Sequence, residues 1–579
     1  MSGLMAVLGV AEQRAVGLLR SMGAAAPWRG TVRLLALPFG AVGVQQREWG
    51  TQAARPQIAC HGDVAVAAWG TLTTPGGQRY GAEAARYILA AYAAGELDVA
   101  RMPGPAAFIL WDDARHWLLA RRDPLGRRPL FFTSGAELRL ASEPKQLRVV
   151  ASGAHPPAPE MLLRSVGTAA EHAERTYCQG VWRLGGGWLL RGPPHAVTRE
   201  QYWSPPAVGS FTGTLADAKA ALRDALHTAL ERDAAETEAV LLSGGMDSSA
   251  VAAALAGQQP ASAVMAITAA YPSSPETDET PWAHAVAERL RMPLRAVQPR
   301  PAPFSCVEED AWRHDGPAMT PFASNFRDLL RRMRGLGFTV AIDGHGGDAL
   351  FGGCRGLLRA LLQRSAMTSL GRVLQVTRRE RGWMPVMRGM AMLALPQALR
   401  RAASRGRWRA RRLPPWLGPA VLDAWAVTDD GASSWENVQQ NAARAAAWLE
   451  LEGVEREALA AGVELLHPLY DERVVELAVA LPAEIKMTGG RPKGILRASF
   501  AEALPRNVVA RRKEGFLDAF FLRCAPAAEV MAALARIEVP RDWLFQPRLR
   551  MALQRGELGY SELALVHTLL QAASCLAWS

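Results

Sequence analysis

The stretch that decides the fold is LLSGGMDSS, residues 241–249. Its pattern predicts a buried strand, a turn with two glycines and a helix rich in small residues. Glycines let backbone N–H groups approach an anion closely, and the start of a helix adds its positive dipole and hydroxyl donors. We therefore expect a phosphate-binding loop whose contacts are Ser243, Gly244, Gly245, Ser248 and Ser249.

Asp247, inside this loop, indicates more than a bare phosphate site. A carboxylate would repel phosphate but is a good ligand for a phosphate-bound Mg²⁺ ion. The Walker pattern GxxxxGK[ST] is absent, which excludes a kinase-type or GTPase-type loop. The alternative is an ordinary glycine-rich connection between a strand and a helix.

A second glycine-rich loop, DGHGGDALFGG at residues 343–353, follows the predicted strand Thr339–Ile342. Ligands of doubly wound folds bind where the carboxyl ends of the strands meet, so both loops should share one edge. Asp348 is then a second carboxylate for Mg²⁺. His345 offers an imidazole that could accept a proton from an amine near neutral pH, or merely contact the nucleotide or the loop.

The pattern of predicted secondary structure changes near residue 205. Before it, short strand-like runs and one helical pattern predict an α+β sandwich with antiparallel pairing; they are Val64–Trp69, Ala106–Trp111, Trp117–Ala120, Leu130–Phe132 and the helix Glu83–Ala94. From Leu215 strands and helices alternate, which predicts a parallel sheet, and beyond Gly353 the pattern is helical. We predict two domains, 1–205 and 206–579.

Composition excludes several classes of protein. The 579 residues are 49% hydrophobic and 21% charged, as in a globular chain rather than a disordered one. Six Cys without a CxxC pair exclude a disulfide scaffold and a zinc ribbon. No apolar run reaches the roughly 18 residues of a spanning helix, and no signal peptide is recognisable. We expect a soluble cytoplasmic protein without membrane insertion.

The net charge of +11 is concentrated in one segment. Residues 355–412 contain fifteen Arg and one acid, Glu380, a charge of +14 that leaves −3 elsewhere. We predict an Arg-rich helical insertion over 355–413. Its arginines either lie on solvated faces of amphipathic helices or dock a peptide or anionic protein partner. Few of these arginines lie in the proposed site motifs, so we expect a peptide or protein partner rather than nucleic acid.

Residues 241–249 resemble the pyrophosphate loop of ATP-pyrophosphatases, enzymes that split ATP into AMP and pyrophosphate. The second loop, with its Phe-Gly-Gly end, looks like the matching loop of the asparagine synthetase family. Three more stretches resemble that family: GVELLHPLYD at 462–471, KGILR at 493–497 and RRKEGF at 511–516. The resemblance implies an α/β ATP-pyrophosphatase domain with a helical C-terminal region.

The resemblance also implies site residues, with ATP and Mg²⁺ as cofactors. Lys513 matches the catalytic lysine of the family and Lys493 looks like a phosphate contact; fixed ammonium groups would stabilise charge on the departing pyrophosphate. Asp247 and Asp348 would bind Mg²⁺. Leu242, Thr268 and Gly344 would line the adenosine. Glu450 and Glu452 lie where β-lactam synthetases place an acidic partner for their catalytic Tyr, and Glu452 either orients His345 or lies on a solvated helix face.

The N-terminal half resembles the class II glutamine amidotransferase domain in residues 104–112, 122–130 and 141–145. Its departures from the family pattern concern catalysis. Ser2 stands where the nucleophilic Cys is needed, the oxyanion-hole Asn-Gly reads Trp69-Gly70, and the RGPD string survives only as Arg29-Gly30. We therefore expect an inactive glutaminase, so that the amine must come from the substrate.

Together these features favour an AMP-forming amide ligase of the lasso-peptide cyclase type. It would adenylate an Asp or Glu side chain of a precursor peptide, and the peptide's N-terminal amine would attack to close a macrolactam. A leader peptidase and a leader-binding protein are expected partners. A β-lactam synthetase-like enzyme, an ammonia-dependent asparagine synthetase-like enzyme, a tRNA-modifying enzyme and a non-catalytic scaffold are the alternatives.

Overall fold

A computed structural model gives the architecture of the chain. The residues that it describes are 2–51, 55–74, 77–135, 137–149, 155–165, 173–231, 236–352, 361–362, 367–381, 383–384, 386–387, 414–426, 439–440, 443, 445–512 and 517–578. Lys513 and most of the Arg-rich segment 355–413 lie outside these residues, so the predictions for them remain predictions.

The described strands alternate with loops in the first third of the chain and with helices later. In chain order they are β1 (Gly3–Leu8), β2 (Thr31–Leu37), β3 (Gly40–Gln46), β4 (Gln57–His61), β5 (Val64–Gly70), β6 (Leu72–Thr73), β7 (Arg79–Tyr80), β8 (Ala106–Asp112), β9 (Trp117–Arg121), β10 (Phe131–Thr133), β11 (Leu138–Ala141), β12 (Val181–Arg183), β13 (Trp188–Gly192), β14 (Thr198–Gln201), β15 (Ala239–Leu241), β16 (Met265–Ala269), β17 (Leu294–Val297), β18 (Val340–Ile342) and β19 (Glu464–Leu466).

The described α-helices are concentrated after residue 215. They are Glu12–Ala25, Ala84–Ala93, Pro144–Arg148, Pro159–Arg164, Leu215–Glu231, Met246–Ala256, Thr280–Leu290, Val307–His314, Ala323–Gly335, Gly347–Phe351, Met367–Arg381, Pro419–Ala426, Ala445–Ala461, Glu472–Ala480, Ala483–Lys486, Gly494–Phe500, Arg506–Ala510, Asp518–Arg523, Ala527–Arg536, Gln546–Gln554 and Tyr560–Leu576. In the described part of the chain, we find no helix with the length and apolar character needed to cross a membrane.

The N-terminal half is a sandwich of two six-stranded antiparallel sheets. One has the order β12-β10-β11-β1-β3-β2 and the other β14-β13-β9-β8-β5-β4. Side chains of β1 alternate: Leu4, Ala6 and Leu8 enter the core between the sheets, while Met5 and Val7 pack under helix Glu12–Ala25. The α+β sandwich predicted for this half is confirmed.

The second half contains a parallel sheet with the order β17-β16-β15-β18-β19. β15 and β18 are neighbours in parallel pairing, so the loops that follow them emerge at the same sheet edge, as predicted. The sequence analysis did not identify β19, which pairs with β18 and completes this edge. A separate hydrophobic core is formed largely by helical residues beyond 414, together with Phe304, Val307 and Ala311.

Candidate active site

The two glycine-rich loops touch each other at the carboxyl edge of the parallel sheet. A Cβ placed on Gly344 would lie 2.7 Å from the backbone nitrogen of Ser248, and one placed on Gly347 would collide with the Asp247 carboxyl group. Only glycine permits this approach. The two loops therefore form one site, with the carboxylate of the first held against the backbone of the second.

The first loop has the shape that an anion cradle requires. Gly244 has φ +70° and faces Trp282 so closely that a Cβ would lie 2.5 Å from its backbone. The Ser243 hydroxyl accepts from the Gly245 N–H at 3.2 Å and lies 3.2 Å from the Ser248 hydroxyl. Helix Met246–Ala256 then begins, directing its positive end toward the loop.

Lys493 connects the two carboxylates that were predicted to bind Mg²⁺. Its Nζ lies 2.7 Å from Asp348 Oδ1 and also forms an ion pair with Asp247. Its backbone adopts φ +60°, a left-handed conformation that a non-glycine residue keeps only where its surroundings impose it. The structure thus brings Asp247, Asp348 and Lys493 together at one point.

The donor set at this point fits ATP with Mg²⁺. Two carboxylates converge on a single position, and hard oxygen ligands of this kind are those that Mg²⁺ prefers. The hydroxyl oxygens of Ser249 and Thr268 are buried and have no hydrogen-bond partner among the described residues, so polar groups are left for a ligand. Asp247 and Asp348 would hold the ion.

A cavity of about 540 Å³ opens beside the loops. Ser243 and Thr268 form its wall next to the phosphate loop, and His345 and Glu450 also line it. Much of the remaining wall is apolar; it includes Tyr271, Ala318, Met319, Phe322, Ala323, Phe326, Leu329, Val454 and Leu517. Of the residues expected around adenosine, Thr268 lines this cavity, while Leu242 is buried in the core and Gly344 packs on Ser248.

His345 is held by a carboxylate that the sequence analysis had left without a role. Its Nδ1 lies 2.6 Å from Asp343 Oδ2, and His467 Nδ1 lies 2.8 Å from the other oxygen. A carboxylate only accepts, so both imidazoles donate to Asp343. One possible ligand atom of each of the three residues lies within 4.8 Å of the others, a spacing that could also hold a metal ion.

This arrangement sets the charge of His345. Burial lowers the pKa of His345, but attraction to Asp343, with smaller contributions from Glu450 and Asp247, outweighs burial and raises the pKa to about 9. Burial likewise opposes ionisation of Asp343, yet the two imidazoles hold its pKa well below the usual range. His345 is therefore a cation at neutral pH, and an acceptor role at this position is favoured at alkaline pH.

Glu450 is one of three glutamates that line the cavity, with Glu279 and Glu457. The Tyr470 hydroxyl donates a hydrogen bond to Glu450 at 2.6 Å. Burial and the nearby Glu450 carboxylate raise the pKa of Tyr470, which keeps the phenol protonated. A carboxylate fixed in this way beside His345 can bind the ammonium form of a substrate amine and receive its proton.

Glu452, which was predicted either to orient His345 or to lie on a solvated face, does neither. Its carboxylate lies 2.9 Å from both Arg122 and Arg183, two residues of the sandwich half, and its side chain is 3% exposed. The partner of His345 is Asp343 instead. Both interpretations of Glu452 were wrong. Glu450 and Glu452 are two residues apart on a helix, so their side chains lie on different faces.

Replacing Glu452 with Ala is expected to lower the free energy of unfolding by about 3–5 kcal/mol, because two buried guanidinium groups would lose their counter-charge. Denaturant unfolding of the full chain measures the loss. Glu308→Ala is the matched control: its ion pair with Arg536 is exposed, so it should cost less than about 1 kcal/mol. Equal losses in the two variants would contradict the buried role.

Lys513, the predicted catalytic lysine, lies outside the described residues, but the residues before it are placed. Arg511 pairs with Glu279 at 2.6 Å, donates to the Gly244 carbonyl at 3.4 Å and stacks on Trp282 at 4.7 Å. Arg511 is therefore attached to the phosphate loop. Arg511 is the first residue of the motif RRKEGF, but no role was predicted for it.

The region of the sandwich that corresponds to the predicted glutaminase site is filled by its own side chains. Arg29 is fully buried; it pairs with Glu143 and donates to the Ser2 carbonyl. The Trp69 indole is 1% exposed and lies near the guanidinium of Arg29, at 5.9 Å. Ser2 itself is buried in this cluster.

Comparison with known proteins agrees with both halves of this architecture. The family model described as "Asparagine synthase" matches residues 217–573, more than half of the chain. The model described as "Glutamine amidotransferase domain" matches residues 80–203. The first match spans the parallel sheet and both glycine-rich loops.

Three curated relatives illustrate the range of similar proteins. The glutamine-hydrolyzing asparagine synthetase 3 of Bacillus subtilis (strain 168) is 24% identical over 458 residues, covering 72% of this chain and 68% of the relative. The amidase chry2 of Gibberella zeae is 26% identical over 278 residues, covering 44% and 40%. The carboxyethyl-arginine beta-lactam-synthase of Streptomyces clavuligerus is 46% identical over only 55 residues, 10% and 11% of the two chains. This chain belongs to the asparagine synthase family, an ATP-dependent group of amide-forming ligases.

Proposed function

We propose that the protein joins a side-chain carboxylate of Asp or Glu in a precursor peptide to that peptide's N-terminal amine, forming a macrolactam as lasso-peptide cyclases do. The observation that carries the proposal is the wall of the cavity. Its described lining is largely apolar and acidic, and contains neither Lys nor Arg. Such a wall suits an organic amine, whereas free aspartate would find neither Lys nor Arg there for its α-carboxylate, and the imidazole of His345 is already paired with Asp343.

The reaction has two steps. A carboxylate oxygen of the substrate attacks the α-phosphorus of ATP; the new O–P bond forms as the bond to pyrophosphate breaks. The amine nitrogen then attacks the acyl carbon, a C–N bond forms, AMP leaves and the amine proton passes to an acceptor. Glu450 and, when neutral, His345 line the cavity and can accept this proton.

Lys493 would stabilise the charge that develops on the phosphates, since its ammonium lies between Asp247 and Asp348. Mg²⁺, when held by these two carboxylates, would neutralise phosphate charge as a Lewis acid. The family resemblance gives Lys513 the same kind of role. Apolar residues around the amine, Phe326 among them, would exclude water that could otherwise hydrolyse the acyl-adenylate.

The sandwich half would supply no ammonia. In the cluster around Ser2, the guanidinium of Arg29 is engaged by Glu143 and Glu455, and no part of its side chain is exposed. An arginine occupied in this way is not available to bind a glutamine carboxylate. This supports an inactive glutaminase and hence an amine that the substrate itself provides.

The test uses a pool of synthetic linear peptides, each with one Asp or Glu and a free amino terminus, and a matched pool acetylated at that terminus. With ATP and Mg²⁺, we expect AMP release together with loss of one water from members of the free-amine pool alone. AMP formation and peptide mass are measured together. AMP release with aspartate and ammonium, and none with peptides, would refute the macrolactam function.

The second candidate function is asparagine formation. It is favoured by the asparagine synthetases among the relatives, which align over 72% of this chain. It predicts AMP release with aspartate plus glutamine or ammonium. A β-lactam synthetase-like activity on a small molecule would give neither result, and the partial similarity to a beta-lactam-synthase is its only support among the relatives named above.

A further inference from the structure

Helix Ala445–Ala461 lies between the cavity and the sandwich half, and its two sides face different surroundings. The cavity side carries Glu450, Gly453, Val454 and Glu457. The other side contacts the sandwich through Trp448, Glu452 and Glu455. At about 100° per residue, the two sets point in roughly opposite directions. The helix therefore contacts the sandwich half with one side and lines the active-site cavity of the other half with the opposite side.

Arg29 makes the central contact. Its Nη1 lies 3.2 Å from Glu455 Oε1 and its Nη2 lies 3.5 Å from Oε2, a two-pronged geometry. Burial opposes the charge of Arg29, but Glu455 and Glu143 outweigh it and raise its pKa above the ordinary value. Arg29 is the arginine that remains from the RGPD string. The residue that resembles a glutamine-site group therefore binds the ligase half instead.

Two further contacts fix the same helix. The Trp448 indole packs on the glycine pair 185–186 so closely that a Cβ on Gly186 would lie 2.6 Å from its Nε1. One turn later, Glu452 accepts from Arg122 and Arg183. Three successive positions on one face are thus held by the sandwich, which sets both the position and the rotation of the helix.

A second route joins the same two regions. Lys145 of the sandwich lies 3.0 Å from Asp315, which is also 3.2 Å from Arg456 of the helix. The preceding residue, His314, pairs with Glu457, and both line the cavity. Asp315 and Arg456 therefore belong to the ion-pair network of Lys145, and their sequence neighbours His314 and Glu457 line the cavity.

We propose that the amidotransferase-like domain now serves the ligase reaction as a positioning scaffold, in which Arg29, through Glu455, holds helix Ala445–Ala461 so that Glu450 faces the substrate amine. Arg29 and Glu455 are positioning residues, not catalytic ones. The inference rests on the proposed function only in placing the amine at this cavity. It explains why a domain without a glutaminase site keeps a fully buried arginine.

The test measures hydrogen exchange of helix Ala445–Ala461 in the full-length protein, together with its turnover. Glu455→Gln keeps the shape of the side chain and removes its charge. Glu464→Gln is the matched control: Glu464 also crosses the domain boundary, accepting from Thr51 N–H at 2.7 Å, but lies on β19. Arg29→Lys is a milder second variant, which keeps the charge and loses the two-pronged contact.

We expect exchange in the helix to be at least about tenfold faster in Glu455→Gln, intermediate in Arg29→Lys and within about twofold of wild type in Glu464→Gln. With the free-amine peptide pool, kcat should fall about tenfold in Glu455→Gln at an unchanged KM for ATP. Unchanged exchange, equal loosening in the control, or loosening without loss of kcat would overturn the inference. Exchange needs no substrate, so it tests whether the sandwich half holds the helix even if the peptide pool is not turned over.

Discussion

Replacing Lys493 with Met is expected to lower the rate of AMP formation about 10³-fold, equivalent to about 4 kcal/mol of transition-state stabilisation. The ammonium of Lys493 lies 2.7 Å from Asp348 and also pairs with Asp247. Its removal takes away an ammonium group that contacts both carboxylates, next to the position where phosphate charge develops. Both binding of MgATP and its reaction should therefore weaken.

The measurement combines calorimetric titration of ATP with Mg²⁺ and AMP formation on the free-amine peptide pool. Lys219→Met, on helix Leu215–Glu231, is the matched control and should leave both unchanged. Lys493→Arg separates charge from position: it keeps the cation but has a larger, planar head group, so it should recover only part of the rate. Full activity of Lys493→Met would remove Lys493 from the phosphate site.

Local sequence signals were sufficient for the main elements of the fold. β5, β8 and the strand–loop–helix unit around residues 241–249 were predicted because short apolar runs and the glycines that bound them are local signals. β19 was missed because it has only three residues and begins with a charged one, Glu464. The charge of Glu464 is satisfied by Thr51, more than four hundred residues earlier, and no local pattern contains that partner.

The same difference between local signals and partners distant in sequence separates the predicted from the unpredicted parts of the site. Asp247, Asp348 and Lys493 were predicted because each lies in a motif whose chemistry is local. The role of Asp343 was missed since it depends on His467, a residue 124 positions later. Glu452 was misjudged because a helix with charged residues on two sides looks solvated until the second domain is placed against it.

Replacing Asp343 with Asn is expected to lower kcat for amide formation about 10²-fold and to shift its pH dependence. Asp343 accepts from both His345 and His467, and an amide cannot accept equally from two imidazoles while balancing their charge. If neutral His345 accepts the amine proton, wild-type kcat should rise with pH through about 9, the pKa that Asp343 sets. In Asp343→Asn the inflection should move toward about 6.5, the ordinary histidine pKa.

NMR titration of the His345 ring in the two proteins measures this shift directly, without any substrate. The exposed Asp63→Asn variant is the control, and its His345 titration should match that of wild type. Equal titration of His345 in wild type and Asp343→Asn would contradict the proposed partnership. A wild-type kcat that falls as pH rises toward 9 would instead mean that His345 acts as a cation, and Glu450 would be the remaining proton acceptor.

The same hydrogen bonds couple stability to pH, with a defined sign. The pKa of His345 is raised to about 9 in the folded chain. Its contribution is therefore fully present below about pH 6.5 and is lost as pH rises through 9; the pKa difference corresponds to at most about 3 kcal/mol. Asp343 has a depressed pKa, so its own contribution is present above about pH 4 and is lost on acidification. The free energy of unfolding of wild type should thus fall between pH 6.5 and about 9 relative to Asp343→Asn, because only wild type has the His345–Asp343 ion pair to lose.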